Sequence, residues 1–203
     1  LGMKDISIGR IQVKLSLKAA GSADFTMNSC YDYKNSSFLQ DLKDTAVLGK
    51  TVEVELGYGS STQLVFKGFI ASVNMGFDVE AGISFHITAM DARRLMMTDN
   101  SRSISHTETK YSDIVKKILK RYEPLCNASV ETTSQELKEP VSQESADYDF
   151  ITEKAGKEEG MEFFILGDTA YFRKAASNKN PAVTLGIGTG LKTFERGAVY
   201  LNR

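Results

Sequence analysis

The chain has 203 residues, 41% hydrophobic and 25% charged, enough apolar content for one large domain or two small ones, which excludes a wholly disordered chain. A formal net charge of −1 supplies no global cationic field for nucleic acid or an anionic membrane. No apolar run approaches the ~20 residues that cross a bilayer, and no basic-then-apolar leader opens the chain.

The two cysteines, Cys30 and Cys126, lie far apart without CxxC spacing, and only His86 and His106 could join them as soft metal ligands. They read as free thiols of a reducing compartment, which places the chain in a cytoplasm. Leu1 and Gly2 ahead of Met3 are set aside as a cloning remnant, and the sequons at Asn35 and Asn127 as chance.

Strands come first. Ile11, Val13, Leu15 and Leu17 alternate with Gln12, Lys14, Ser16 and Lys18, the pattern of a half-buried strand. The same period recurs at Ala23-Phe25-Met27, at Val52-Val54-Leu56-Tyr58 and at Ile83-Phe85-Ile87-Ala89, with an apolar run from Leu64 to Val73 between the last two. Strands with one apolar face need a partner face, so a sandwich or a closed barrel is expected. Ser37 followed by Phe38, Leu39 and Leu42 predicts a short helix or turn, and Gly57, Gly59 and Ser60-Ser61 predict a hairpin loop.

Near residue 100 the period changes. Tyr111, Ile114, Val115, Ile118, Leu119 and Tyr122 fall on one stripe of a helix over 110–122, with Lys116, Lys117, Lys120 and Arg121 on the opposite face and Pro124 as the stop. A second helix is expected after Ser145 as N-cap, running through Phe150, Ile151 and Ala155 to Gly160 as C-terminal cap. Met161 to Leu166 and Ala170 to Arg173 then read as two strands joined by a Gly167-Asp168-Thr169 hairpin. The stretch from Val183 to Arg203 looks like the opening strands of a further unit.

No constellation carries chemistry. Gly186, Gly188 and Gly190 lack the Lys-Ser/Thr and the helix that a phosphate loop requires. The acidic pairs Asp147/Asp149 and Glu158/Glu159 stand too close along a helix to face one substrate, and read as a solvated face. His86 sits on the polar phase of its strand, a solvent-facing or interface position. His106 lies in a Ser/Thr-rich connector, no G-x-S-x-G elbow is present, and the basic helix face has no interleaved aromatics. No catalytic, cofactor-binding or metal-binding residue is assigned, and no cofactor is expected.

The order of several local strings resembles one family over roughly residues 10–200. Phe66-Lys67-Gly68-Phe69-Ile70 and Thr88-Ala89-Met90-Asp91 resemble the first barrel of phage late-control protein D and of VgrG-like tail hubs. Tyr111-Ser112-Asp113-Ile114-Val115 through Tyr122 is similar to that family's insertion helix. The string Gln143-Glu144-Ser145-Ala146-Asp147-Tyr148-Asp149-Phe150-Ile151, with Ala155 and Gly160-Met161-Glu162-Phe163-Phe164, resembles the segment leading into a glycine-marked hairpin. Gly190-Leu191-Lys192-Thr193-Phe194 resembles the start of a second barrel.

The resemblance implies an α+β, mainly β fold: a tube-like β-barrel over 1–95, an α/β insertion with two helices and a hairpin over 96–180, and the opening strands of a truncated second barrel over 181–203. It further implies a non-enzymatic baseplate hub that adapts a six-fold tail tube to a three-fold spike. Its expected partners are its own copies in a homotrimer, the tail tube protein, a spike or tip protein and other baseplate proteins. Neither nucleic acid nor stable membrane insertion is expected. The hub would assemble in a bacterial cytoplasm and reside in the baseplate of a virion or tail-like particle. Two other classes are weighed: a baseplate-associated peptidoglycan hydrolase, which needs an acid/nucleophile pair in a cleft, and a free-standing ligand-binding barrel, which needs an exposed aromatic platform.

Overall fold

The computed structural model describes residues 6–39, 42, 45–59, 61–80, 82–98, 103–175 and 186. The first elements are β1 (Ser7–Lys14), β2 (Ser22–Asn28), β3 (Tyr31–Asp32), β4 (Ser37–Phe38), β5 (Thr51–Tyr58), β6 (Ser61–Asp78) and β7 (Gly82–Met90). Five of them form one antiparallel sheet in the order β1-β2-β7-β6-β5. Period-two alternation puts Ala23, Phe25, Met27, Phe66, Ile70, Ile87 and Ala89 on one buried face. The sheet curls until Ile8 and Val13 of β1 pack in the same clusters as Val52 of β5.

Curling stops short of closure. Among the described residues β1 and β5 each pair on one side only, and a groove of about 470 Å³ lined by Ile8, Ile11, Phe25, Val52 and Val54 lies between them. The expected closed barrel is, over these residues, an open sheet whose seam is bridged by side-chain packing and not by a hydrogen-bond ladder.

Strand β6 organises the sheet because it is shared end to end. Its first part pairs with β5, from Tyr58↔Ser61 to Thr51↔Phe69, and its second part with β7, from Phe69↔Met90 to Asp78↔Gly82. At the changeover a Cβ on Gly68 would lie 2.2 Å from the Met90 carbonyl oxygen, so only glycine lets β7 leave the sheet there.

Two local expectations are corrected. The strand read over Ile11–Lys18 ends at Lys14, leaving Leu15 and Leu17 exposed beyond it. The short helix or turn expected over Ser37 to Leu42 opens instead with strand β4, paired Tyr31↔Phe38, because Phe38 packs edge-on against Tyr31 and Phe85 with ring centroids at 5.1 and 5.7 Å. Helical geometry comes later, where Ala46 N donates to Leu42 O at 2.9 Å.

The second unit follows as α1 (Arg93–Met96), β8 (Ile104–His106), α2 (Tyr111–Lys120), β9 (Asn127–Val130), β10 (Val141–Gln143) and α3 (Asp147–Asp149), then a π-helical segment (Phe150–Gly156), α4 (Lys157–Glu159), β11 (Met161–Leu166) and β12 (Thr169–Lys174). The stripe of α2 buries Ile114, Val115, Ile118 and Leu119 against Phe150, Ile151 and Ala155 of the π segment and Phe163, Ile165 and Phe172 of the strands. Ala92 and Met96, around α1, enter this same core.

The long helix begins one residue later than predicted: Ala146, not Ser145, occupies the N-cap of α3, without a side-chain cap bond. Its end is as predicted, since Gly160 takes φ 67°. The π segment and the parallel pairing of β9 with β12 have no signature in the period of the sequence. The β11–β12 turn reaches back to the first sheet through a parallel bridge between Gly167 and Phe66. The opening strands expected over 181–203, and the glycine run within them, lie outside the described residues apart from Gly186.

Candidate functional site

The apolar face of the first sheet continues past its own core. Cross-strand partners Val73↔Ile87, Met75↔Phe85 and Phe77↔Ile83 share one face, and the line runs from fully buried Ile87 outward to Phe77, which is 68% exposed. Met75 and Val79 are exposed as well, so residues 75–80 and 82–85 form an arm with an exposed apolar stripe. Asp78 and Glu80 put carboxylates at its tip, where Glu80 N donates to Asp78 Oδ1 at 2.8 Å.

A second uncovered patch lies at the other end of the same sheet. Leu15 and Leu17, 65% exposed at Leu17, run beside Phe164 and Leu166 of β11, and between them is a groove of about 230 Å³. The loop that carries them is held from three sides. Arg93 Nη1 donates to Ser16 O at 2.5 Å, Gly21 N donates to Asp91 Oδ2 at 2.8 Å, and Tyr148 Oη donates to Lys18 O at 3.1 Å. On the outer face of β11 and β12, Phe164 and Tyr171 stack at 5.2 Å, but the Arg173 guanidinium lies over both rings, 4.9 and 5.8 Å from their centroids. These rings offer no open platform for a ligand.

Inside the second unit lies a buried polar chain. His106 Nε2 meets Gln143 Oε1 at 2.8 Å, and the Gln143 amide donates to Asp147 Oδ1 at 2.6 Å and Ser145 O at 3.1 Å. Asp147 also receives Arg121 Nη2 at 2.8 Å and Tyr122 Oη at 2.6 Å. On the far side of the imidazole, Nδ1 stands 3.8 Å from Glu108 Oε2, which lies on the carboxylate that takes Lys117 Nζ at 2.5 Å through its other oxygen. The Lys117 bond holds the Glu108 carboxyl below the usual carboxylate range, while burial and the Asp147 carboxylate push the Tyr122 hydroxyl well above its ordinary value.

This chain of groups is a structural clamp. Asp147 is held by three donors, and the hollow beside His106 holds about 270 Å³ and is flanked by Ile104, Lys117, Ile118 and Arg121.

The sequence-derived candidates are dispersed accordingly. Asp147 is buried, not solvated as expected, and Asp149 is exposed. Glu158 is tied to Lys154 and to Tyr111 Oη, the latter at 2.6 Å. His86 is exposed on β7, as its phase predicted, whereas His106, read as part of a connector, is a buried strand residue. The basic face of α2 is only partly a solvated face, because Arg121 reaches the buried Asp147. Cys30 and Cys126 are both free and buried. Among the described residues no group of three or more His, Cys, Asp or Glu is arranged to hold a metal, and no helix is long and apolar enough to cross a membrane.

The fold is similar to solved tail proteins. Over 93% of this chain and 60% of the other, it matches the 43 kDa tail protein of prophage MuSo2 from Shewanella oneidensis at 15% identity and a TM-score of 0.61. A tail protein from Neisseria meningitidis MC58 matches at 14% identity and a TM-score of 0.56, over 88% of this chain and 52% of the other. The E. coli c3393 protein, a type VI secretion component described as similar to T4 bacteriophage tail proteins gp27 and gp5, matches at 16% identity and a TM-score of 0.58, over 91% and 53%. The chain thus spans between about half and 60% of the length of these proteins. No curated protein sequence matches it. The family model of the Alg8 N-terminal domain matches residues 3–197, and the chain belongs to that family.

Proposed function

We propose that this protein is a non-enzymatic structural component of a contractile phage-like tail or injection system, acting as the baseplate hub that adapts a six-fold tail tube to a three-fold spike. The observation that carries the reading is the combination of a tail-protein fold over 93% of the chain with apolar surface left uncovered at both ends of the first sheet. An assembly part needs such surfaces and no catalytic cleft.

In this reading residues 1–95 supply the first tube-like barrel, 96–180 the α/β insertion and 181–203 the start of a second barrel. Three copies close a ring of six barrels, between the tube protein on one side and a spike or tip protein with other baseplate proteins on the other. The hub assembles in the bacterial cytoplasm and ends in the baseplate of the particle.

The test is the solution mass of the longest product of the parent gene, measured by sedimentation or light scattering. A trimer is expected. A product that stays monomeric at tens of micromolar overturns the ring-forming hub.

A further inference from the structure

The two uncovered apolar patches lie at opposite ends of one sheet. Strand β1 starts with Ser7 opposite Asn28, at the arm end, and finishes with Lys14 opposite Ser22, where Leu15 and Leu17 begin. The arm tip at Asp78 lies nine residues of β6 beyond Phe69, so the tip and the Leu15–Leu17 groove are separated by about 30 Å along the strand direction. One molecule therefore cannot bring its own arm to its own groove.

The patches are complementary in shape and charge. The arm is a narrow hairpin whose strand residues Met75 and Phe77 share one face, with exposed Val79 in the turn and the carboxylates of Asp78 and Glu80 at the tip. The groove of about 230 Å³ is lined by Leu15, Leu17, Phe164 and Leu166. It is too small for a metabolite-sized ligand and suits one large apolar side chain. Lys14 and Lys18 flank it, both exposed and without an ion-pair partner among the described residues. The strand beside it, β11, pairs on one side only among the described residues, which offers backbone donors and acceptors to an extended neighbour.

We propose that the β6–β7 arm of one copy docks in the Leu15–Leu17/Leu166 groove of a second copy, seating an apolar arm residue in the groove and the tip carboxylates against Lys14 and Lys18. The contact uses two different patches, so it is heterologous and propagates head to tail instead of closing as a symmetric dimer. This inference goes beyond the hub reading, which assigns no residues to the contact between copies; the single-face variants below test this contact, whereas the solution mass of the longer gene product tests the hub.

The experiment compares the 203-residue chain with two single-face variants, Phe77→Asp on the arm and Leu17→Asp beside the groove, by sedimentation velocity from micromolar to sub-millimolar concentration. Both residues are mostly exposed, and superimposable far-UV circular dichroism and thermal melts establish that both variants fold. The parent chain is expected to form concentration-dependent oligomers that weaken as salt is raised. Each variant alone should associate at least about tenfold more weakly. An equimolar mixture should form dimers and nothing larger, because one arm and one groove remain intact between the two variants. A parent chain that stays monomeric across the range overturns the proposal. So does a Leu17→Asp variant that still self-associates, which indicates an arm-to-arm contact, or a mixture that shows no dimer.

Discussion

The Arg93 guanidinium and the Asp91 carboxylate, both shut away from solvent, meet in a two-pronged ion pair, with Nη2 and Nε donating to the same Oδ2 at 2.7 and 3.0 Å. Their position gives the pair its consequence. Asp91 follows β7 and also binds the backbone of Gly21, while Arg93 opens α1 and holds Ser16 O, so one pair ties the loop carrying Leu15 and Leu17 to the junction between the two units. Arg93→Met strands a buried carboxylate and should cost about 3–5 kcal/mol in urea unfolding, whereas adding Asp91→Leu to it should recover much of that loss. The double variant should still lose the ordered Leu15–Leu17 loop, read as faster amide exchange in residues 15–21.

Gln143 makes a sharper case, because its hydrogen bonds fix a polarity. Its amide nitrogen donates to Asp147 and Ser145 O, leaving Oε1 as the acceptor that His106 Nε2–H must serve. Gln143→Leu removes donor and acceptor together, leaves the buried imidazole N–H without its acceptor and Ser145 O without this donor, and leaves Asp147 Oδ1 to Arg121 alone, a loss of about 1–3 kcal/mol in thermal or urea unfolding. Nitrogen-15 spectra of the parent chain should show a His106 Nε2–H protected from solvent exchange, and the variant should lose that protection.

Much of this was legible in the sequence, and what was not has physical reasons. The α2 stripe and the Gly160 stop are local, since period and cap suffice to place them. Ser37 misled because its cap-like character is local while the aromatic packing of Phe38 on Tyr31 and Phe85 is tertiary, and the tertiary term won. Leu15 and Leu17 misled in the other direction, keeping strand period beyond the end of the ladder while their side chains stay exposed. The His106–Gln143–Asp147 chain joins His106 to a residue 37 positions away, and only the fold brings the two together. The string around Gln143 and Asp147 stood out as a family likeness, not as a polar cluster.

Both thiols are expected to be inert in the folded chain. Burial pushes the Cys126 thiol up to about 12, with the Asp91 and Asp168 carboxylates adding to the effect, and burial also raises Cys30. The alkylating species is the thiolate, so at pH 8 only on the order of one Cys126 in ten thousand is reactive. Neither cysteine should be modified by iodoacetamide at pH 8 under native conditions, and both should be modified at once in urea. Fast labelling of Cys126 in the folded chain would contradict its place beneath the second core.

Acid should loosen the chain through two carboxylates that the fold holds ionised. Glu108 is depressed chiefly by its bond to Lys117, and Glu158 chiefly by Lys154 and then by the Tyr111 hydroxyl, with burial opposing in each case. A carboxyl whose folded value lies below its unfolded one binds fewer protons in the folded state. Its stabilisation is therefore fully present above the ordinary carboxylate value, roughly pH 4.5, and is lost as pH falls through the lower folded value. Melting temperature should be flat near neutrality and decline below roughly pH 4.5. Lys117→Met removes the main cause of the Glu108 shift and should flatten that acid limb while lowering stability at neutral pH. A variant whose acid limb is as steep as the parent's would show that Glu108 is not held by Lys117, and would leave the polar clamp beside His106 without its outer anchor.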